Sequence, residues 1–245
     1  MGNRVVTSRP FQKIYIDFLG KYPRFKRGKS YIFIVVDHFS KFTFLKSMRE
    51  ATTANVIIFL VKEVFLKFGT LAIIHSDNGK QFVAKAFEEM IKTYQIKHLK
   101  TPIYSPQSNA AERVNQSILS AIRAYLKDDH RDWDLYLPEI ESALRTSVHS
   151  ATGITPFFAL FGCNIYTHGS DYNMARKLNA LEDSEFRVLY PKDRLELIRE
   201  NIKNNLNTAY EMELVSTISE RERFTLFRIR KYCAGILCKV VLRTM

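Results

Sequence analysis

Two runs of this chain set the terms for everything around them: His75-Ser76-Asp77-Asn78-Gly79 and Tyr104-Ser105-Pro106-Gln107-Ser108-Asn109-Ala110-Ala111-Glu112-Arg113-Val114-Asn115. Asp77 closes Leu71-Ala72-Ile73-Ile74, an apolar run with the length and flanks of a short buried strand. Asn78-Gly79 after it is a turn signal. Glu112 follows a polar loop, where a helix begins. One carboxylate thus stands at a strand end and a second, 112 − 77 = 35 positions on, in the first turns of a helix. A third, Asp17, interrupts an apolar strand pattern upstream. Carboxylates on rigid elements can hold divalent cations, and such cations can promote phosphodiester cleavage and joining.

Upstream of these runs, Phe11 to Gly20 alternates, with Ile14, Ile16 and Phe18 on one face and Tyr15 and Asp17 on the other. After a basic loop, Tyr31 to Val36 is continuously apolar, which predicts a strand covered on both faces. Lys41 to Met48 is a third strand, and the short links predict an antiparallel meander. Thr52 or Thr53 caps a helix running to about Phe68, with Val56, Leu60, Val64 and Phe68 at spacing 4 and Gly69 ending it. Between the two runs, the pattern predicts a helix over Phe82 to Tyr94 and a short strand over Ile96 to Leu99. Downstream, it predicts a long helix from about Ala110 to Lys127, another over Trp133 to Val148, and loop and turn over Ser150 to Gly162. Lys192 to Met212 is an amphipathic helix by its apolar spacing of 3 or 4. The expected fold is α/β: a mixed five-stranded sheet flanked by helices, followed by a helical or irregular C-terminal extension. The expected organisation is a flexible lead over 1–10, a core over 11–165 and a basic extension over 166–245.

The 245 residues carry a formal net charge of +12, which points to a polyanionic partner, nucleic acid before an anionic membrane. The excess is uneven: 11 Lys/Arg against 3 Asp/Glu in residues 1–50, and 7 against 1 in residues 221–245. Three cysteines without a Cys-x-x-Cys pair predict neither a disulfide framework nor a zinc ribbon, and fit a reducing compartment. No apolar run reaches the ~18 residues of a membrane span.

Taken singly, each carboxylate has an ordinary structural explanation. Asp17 fits a solvent-facing strand position, Asp77 a turn, and Glu112 the positive end of a helix. Asp37, with the same profile, reads as a turn residue. The ordered set shifts the balance. Ile14 to Gly20, Tyr31 to Lys41, His75 to Phe82, Tyr104 to Asn115, and Trp133 through Gly162 together resemble the catalytic core of retroviral and retrotransposon integrases, most closely the gypsy-type long-terminal-repeat elements. The resemblance covers about residues 10–165.

It implies a ribonuclease-H-like fold with Asp17, Asp77 and Glu112 as catalytic and metal-binding triad for Mg²⁺ or Mn²⁺, two ions in all. It implies metal-dependent cleavage and strand transfer on DNA, a homodimer or higher homo-oligomer, and work in the nucleus after cytoplasmic synthesis. Tyr104, Gln107 and Asn109 would lie on a loop meeting DNA ends, with Arg113, Asn115, Gln116 and Arg123 on the following helix facing phosphates. One departure stands out: Pro106 to Glu112 is 6 positions where many members have 7 and a glycine. Residues 1–10 hold neither His nor Cys, so no zinc module is expected there, and residues 190–245 show no barrel strands. The isolated core is therefore expected to reverse joining on branched DNA rather than insert paired ends. The alternative is a retrotransposon-derived protein that binds nucleic acid without catalysis.

Overall fold

The computed structural model describes residues 7–22, 27–101, 120, 132–166, 168–177 and 195–212. Five strands form one sheet: β1 (Lys13–Leu19), β2 (Tyr31–Asp37), β3 (Thr43–Met48), β4 (Ile73–Ser76) and β5 (Lys97–Lys100). Their order is β3-β2-β1-β4-β5. The first three make the expected antiparallel meander, while β4 and β5 join in parallel, so the sheet is mixed. The helices are α1 (Thr53–Phe59), α2 (Leu66–Phe68), α3 (Lys80–Val83), α4 (Lys85–Thr93), α5 (Leu137–Thr146), α6 (Pro156–Phe161) and α7 (Gly169–Lys177), with a further helical stretch over 195–212. The chain divides into two compact units, Met1–Lys203 and Asn204–Met245, and the sheet belongs to the first.

Strand alternation sorts the side chains of β2 onto two buried faces. Phe33 and Val35 join Ile14, Ile16, Val56, Leu60, Val64, Phe82 and Phe87 on one side. Ile32, Ile34 and Val36 join Leu45, Trp133, Leu137 and Ile140 on the other. This is why Tyr31 to Val36 lacks any polar interruption. Asp17 pairs across to Ile34, so it belongs to the second face. Arg27 ties the basic loop to that face, with Nε and Nη2 donating to both oxygens of Asp134 at 2.7 Å and Nη2 to Asp132 at 2.8 Å.

The structure departs from the predicted helices in three places, each for a packing reason. The helix from Thr53 to Phe68 passes through a π-helical stretch, Leu60–Phe65. In an α-helix a ladder at spacing 4 drifts about 40° per step; the wider π turn rotates it back. Val56, Leu60 and Val64 consequently all stay buried against the sheet. The predicted helix from Phe82 to Tyr94 is broken at Ala84, whose backbone is extended. In one continuous helix Phe82 and Phe87 would lie about 140° apart, whereas the break lets both be fully buried with ring centroids 5.8 Å apart. Helix α5 begins at Leu137, with Pro138 in its first turn, rather than at Trp133. Trp133 precedes the helix and is nonetheless an anchor, 5% exposed beneath it. Within Ser150 to Gly162, read as loop and turn, Thr155 caps the short helix α6 by accepting from the Phe158 amide.

His149 gives this region a pH response. Its Nδ1 accepts from the Ala151 amide at 3.1 Å, and burial, with Lys41 adding to it, lowers its pKa to about 4. An unfolded imidazole takes its proton near 6.5. The contribution of neutral His149 is therefore complete above about 6.5 and is lost as pH falls towards 4. Thermal melts between pH 7 and 4.5 should show the midpoint falling, and falling less in His149→Asn, whose amide oxygen can take over the bond from Ala151.

Candidate active site

β1 and β4 lie side by side and parallel, in the register Lys13↔Ile73, Ile14↔Ile74, Tyr15↔His75. Two residues further along each strand direction come Asp17, still within β1, and Asp77, just beyond the end of β4. Adjacent strands stand about 4.8 Å apart, so the two carboxylates are carried by neighbouring backbones at matching positions. The register supplies this convergence and the sequence spacing alone did not.

Each carboxylate is oriented by the backbone. The Phe18 amide donates to Asp17 Oδ1 at 2.7 Å, and the Gly79 amide to Asp77 Oδ1 at 2.9 Å. The turn carrying Asp77 is braced on three sides. Asn78 Nδ2 donates to the Thr101 carbonyl at 2.8 Å, the Thr101 amide donates back to the Ser76 carbonyl, and Ser76 Oγ donates to the Asp77 carbonyl. At Gly79 an added Cβ would stand 2.4 Å from Gln81 Nε2 and 2.9 Å from Asp77 Oδ1. The Asn-Gly signal thus marks a turn in which the backbone must approach the carboxylate closely. Asp77 itself is exposed.

Two positions back along the strands stand Tyr15 and His75. His75 packs edge-on to Tyr15 with centroids 5.0 Å apart, and burial, then the positive charges of Lys13 and His98, lower its pKa to about 4. Lys13 Nζ donates to Tyr15 Oη at 3.1 Å, and burial lowers its pKa to about 8. His75 is therefore a neutral packing group at neutral pH. The burial of Lys13 was missed in the sequence, although its alternation with Tyr15 and Asp17 was the available signal.

Glu112 lies outside the described residues, as do Tyr104, Gln107, Asn109, Arg113, Asn115, Gln116 and Arg123. Among the described residues no group of three His, Cys, Asp or Glu could hold a metal ion. The two described carboxylates do match the all-oxygen donor chemistry that Mg²⁺ and Mn²⁺ favour over softer ligand sets.

Residues 7–106 match the integrase core domain. Over 160 residues the chain is 28% identical to the Pro-Pol polyprotein of simian foamy virus type 3 (strain LK3), covering 65% of this chain and 14% of the polyprotein. Over 153 residues it is 26% identical to the transposon Tf2-3 polyprotein of Schizosaccharomyces pombe (strain 972 / ATCC 24843), covering 62% of this chain and 11% of that one. The chain thus spans a small part of these curated relatives. Among solved structures, the simian T-cell lymphotropic virus intasome in complex with the PP2A regulatory subunit B56 gamma aligns with a TM-score of 0.55 at 19% identity, covering 64% of this chain and 56% of that one. The integrase core fold, a mixed five-stranded sheet flanked by helices, is common to both. Among the described residues no helix is long and apolar enough to cross a membrane.

Proposed function

We propose that this integrase core is a polynucleotidyl transferase that cleaves and joins phosphodiesters at DNA ends. The observation that carries the reading is the parallel β1/β4 register, which brings Asp17 and Asp77 to matching positions on neighbouring strands. Asp17 and Asp77 would hold Mg²⁺ or Mn²⁺, with Glu112 as the third ligand. When bound, a pair of such ions activates a water or a DNA 3′-hydroxyl and stabilises the leaving oxygen. The protein's own contribution is positional. The Phe18 and Gly79 amides fix one oxygen of each aspartate, and the bonds through Thr101 hold the Asp77 turn against β5. Tyr104, Gln107 and Asn109, with Arg113, Asn115, Gln116 and Arg123, would meet the DNA. On this reading the chain works as a homo-oligomer on DNA, in the nucleus.

The test gives the purified chain a branched DNA resembling a joined product, with Mn²⁺, Mg²⁺ or Zn²⁺. Reversal of joining with Mn²⁺ or Mg²⁺ and not with Zn²⁺ is expected, with little paired-end insertion. Salt-sensitive DNA binding without metal-dependent cleavage would replace the reading with that of a silent nucleic-acid-binding protein.

A further inference from the structure

Ser76 is buried at the end of β4, and its hydroxyl stands between two groups. Oγ lies 2.8 Å from the Asp77 carbonyl oxygen and 2.8 Å from His98 Nε2. A serine hydroxyl carries one proton, and a carbonyl oxygen carries none. The Ser76 proton therefore lies on the contact to Asp77, and the contact to His98 is a hydrogen bond only when Nε2 donates. One arrangement satisfies both contacts: Nε2–H of His98 donates to Ser76 Oγ, and Ser76 donates to the Asp77 carbonyl. Burial, with Lys100 adding to it, lowers the His98 pKa, so the ring is neutral at neutral pH and has a tautomer to choose.

We propose that His98 is a positioning residue for Asp77, fixing the Asp77 carbonyl through Ser76 and with it the peptide that carries the carboxylate. The proposal rests on the reading of Asp17 and Asp77 as cation ligands. The relay reaches Asp77 from the opposite side of the sheet. His98 pairs with Ile74 in the β4/β5 register, so its contact with Ser76 is the diagonal one, on the face that holds Phe87. Strand alternation gives His75 and Asp77 the other face. The imidazole is itself anchored, edge-on to the fully buried Phe87 ring with centroids 5.3 Å apart. The charged groups that face it, Glu88 and Lys100, pair with each other at 4.0 Å. The remaining braces of the turn act at other atoms. The Gly79 amide holds the carboxylate, and Thr101 holds the Ser76 carbonyl and Asn78. The bond from Nε2 pins the Ser76 rotamer and polarises its O–H, which strengthens the bond to Asp77. His98 can therefore be changed without touching either carboxylate.

The test has two parts. In the unaltered chain, imidazole nitrogen shifts measured by NMR should place the His98 proton on Nε2; a proton on Nδ1 breaks the relay and overturns the proposal. Then Mn²⁺ binding to the whole chain is measured without DNA, from the electron paramagnetic resonance signal of the free ion. His98→Phe keeps a ring against Phe87 and removes the donor. It should weaken Mn²⁺ binding about tenfold, the low end of what partners of metal ligands cost. His98→Gln brings an amide donor near the same point and should bind within about twofold of the unaltered chain. His98→Phe joined to Ser76→Ala should bind no more weakly than Ser76→Ala alone, since both act through one chain of bonds. Should His98→Phe melt early, Ser76→Ala carries the test and should weaken binding by the same factor. Unchanged Mn²⁺ affinity in the folded variant, or equal weakening in His98→Phe and His98→Gln, overturns the proposal and leaves the carboxylate reading standing. Absence of Mn²⁺ binding in the unaltered chain removes that reading, and the proposal with it.

Discussion

Asp77→Asn is expected to lower Mn²⁺-dependent cleavage of branched DNA at least about a hundredfold, since even outer partners of metal ligands cost 10–100-fold on removal. The same variant should melt with the unaltered protein. Asp77 is exposed, and the single described bond of its side chain is the one its Oδ1 accepts from the Gly79 amide. An asparagine Oδ1 accepts that bond equally well, so the turn and its bracing through Thr101 persist. What the substitution removes is the negative charge that a hard divalent cation requires. A structural role for Asp77 predicts the reverse pattern, with loss of stability and little loss of cleavage. Activity equal to the unaltered chain would place the catalytic centre elsewhere. In Asp17→Asn the Phe18 amide keeps its acceptor, since the asparagine retains Oδ1.

The sheet was legible because its strands carry their surroundings in their sequence. Tyr31 to Val36 is apolar throughout because both of its faces are covered, and Phe11 to Gly20 alternates because Asp17 and Tyr15 face away from the main core. Helix boundaries were less legible because packing decided them. Nothing in the residues around Ala84 announces a break, yet Phe82 and Phe87 could not both be buried without one. Local pattern marked Asp17 as a carboxylate within a strand and Asp77 as one at a strand end, whereas their side-by-side placement depended on β1 pairing with β4 across about sixty residues of chain. Charge was the least legible. Arg27 and Lys29 belong to one basic loop, but Arg27 is consumed by Asp132 and Asp134 while Lys29 lines a cleft beside β3.

Asp37 illustrates how a correct local reading can understate a residue. It does begin a turn, with its carbonyl accepting from the Lys41 amide at 3.0 Å. It is also completely buried, and its side chain joins two segments. Oδ1 accepts from the Phe11 amide at 2.9 Å, and Oδ2 from the Ser40 amide at 2.7 Å and the Ser40 hydroxyl at 2.6 Å. Two residues beside these bonds hold positive φ, Phe11 at 54° and Lys41 at 63°, a conformation costly to non-glycine residues. Phe11 is kept there by the bond to Asp37 and by stacking on Phe68 at 4.2 Å. Burial raises the Asp37 pKa above the usual carboxylate range, against the lowering effect of the Ser40 and Phe11 bonds, so its charge is costly. Removing the side chain recovers that cost but leaves three buried donors without their acceptor, at about 1–3 kcal/mol each. Asp37→Ala should therefore lose about 3 kcal/mol of stability, lowering the melting midpoint by roughly 6–12 °C in a domain of this size. Asp37→Asn, with one oxygen in place of two, can keep either the Phe11 or the Ser40 bonds and should fall between. Denaturant titration of the three proteins orders them, and an alanine variant as stable as the unaltered chain would mean that these bonds do not hold the two segments together.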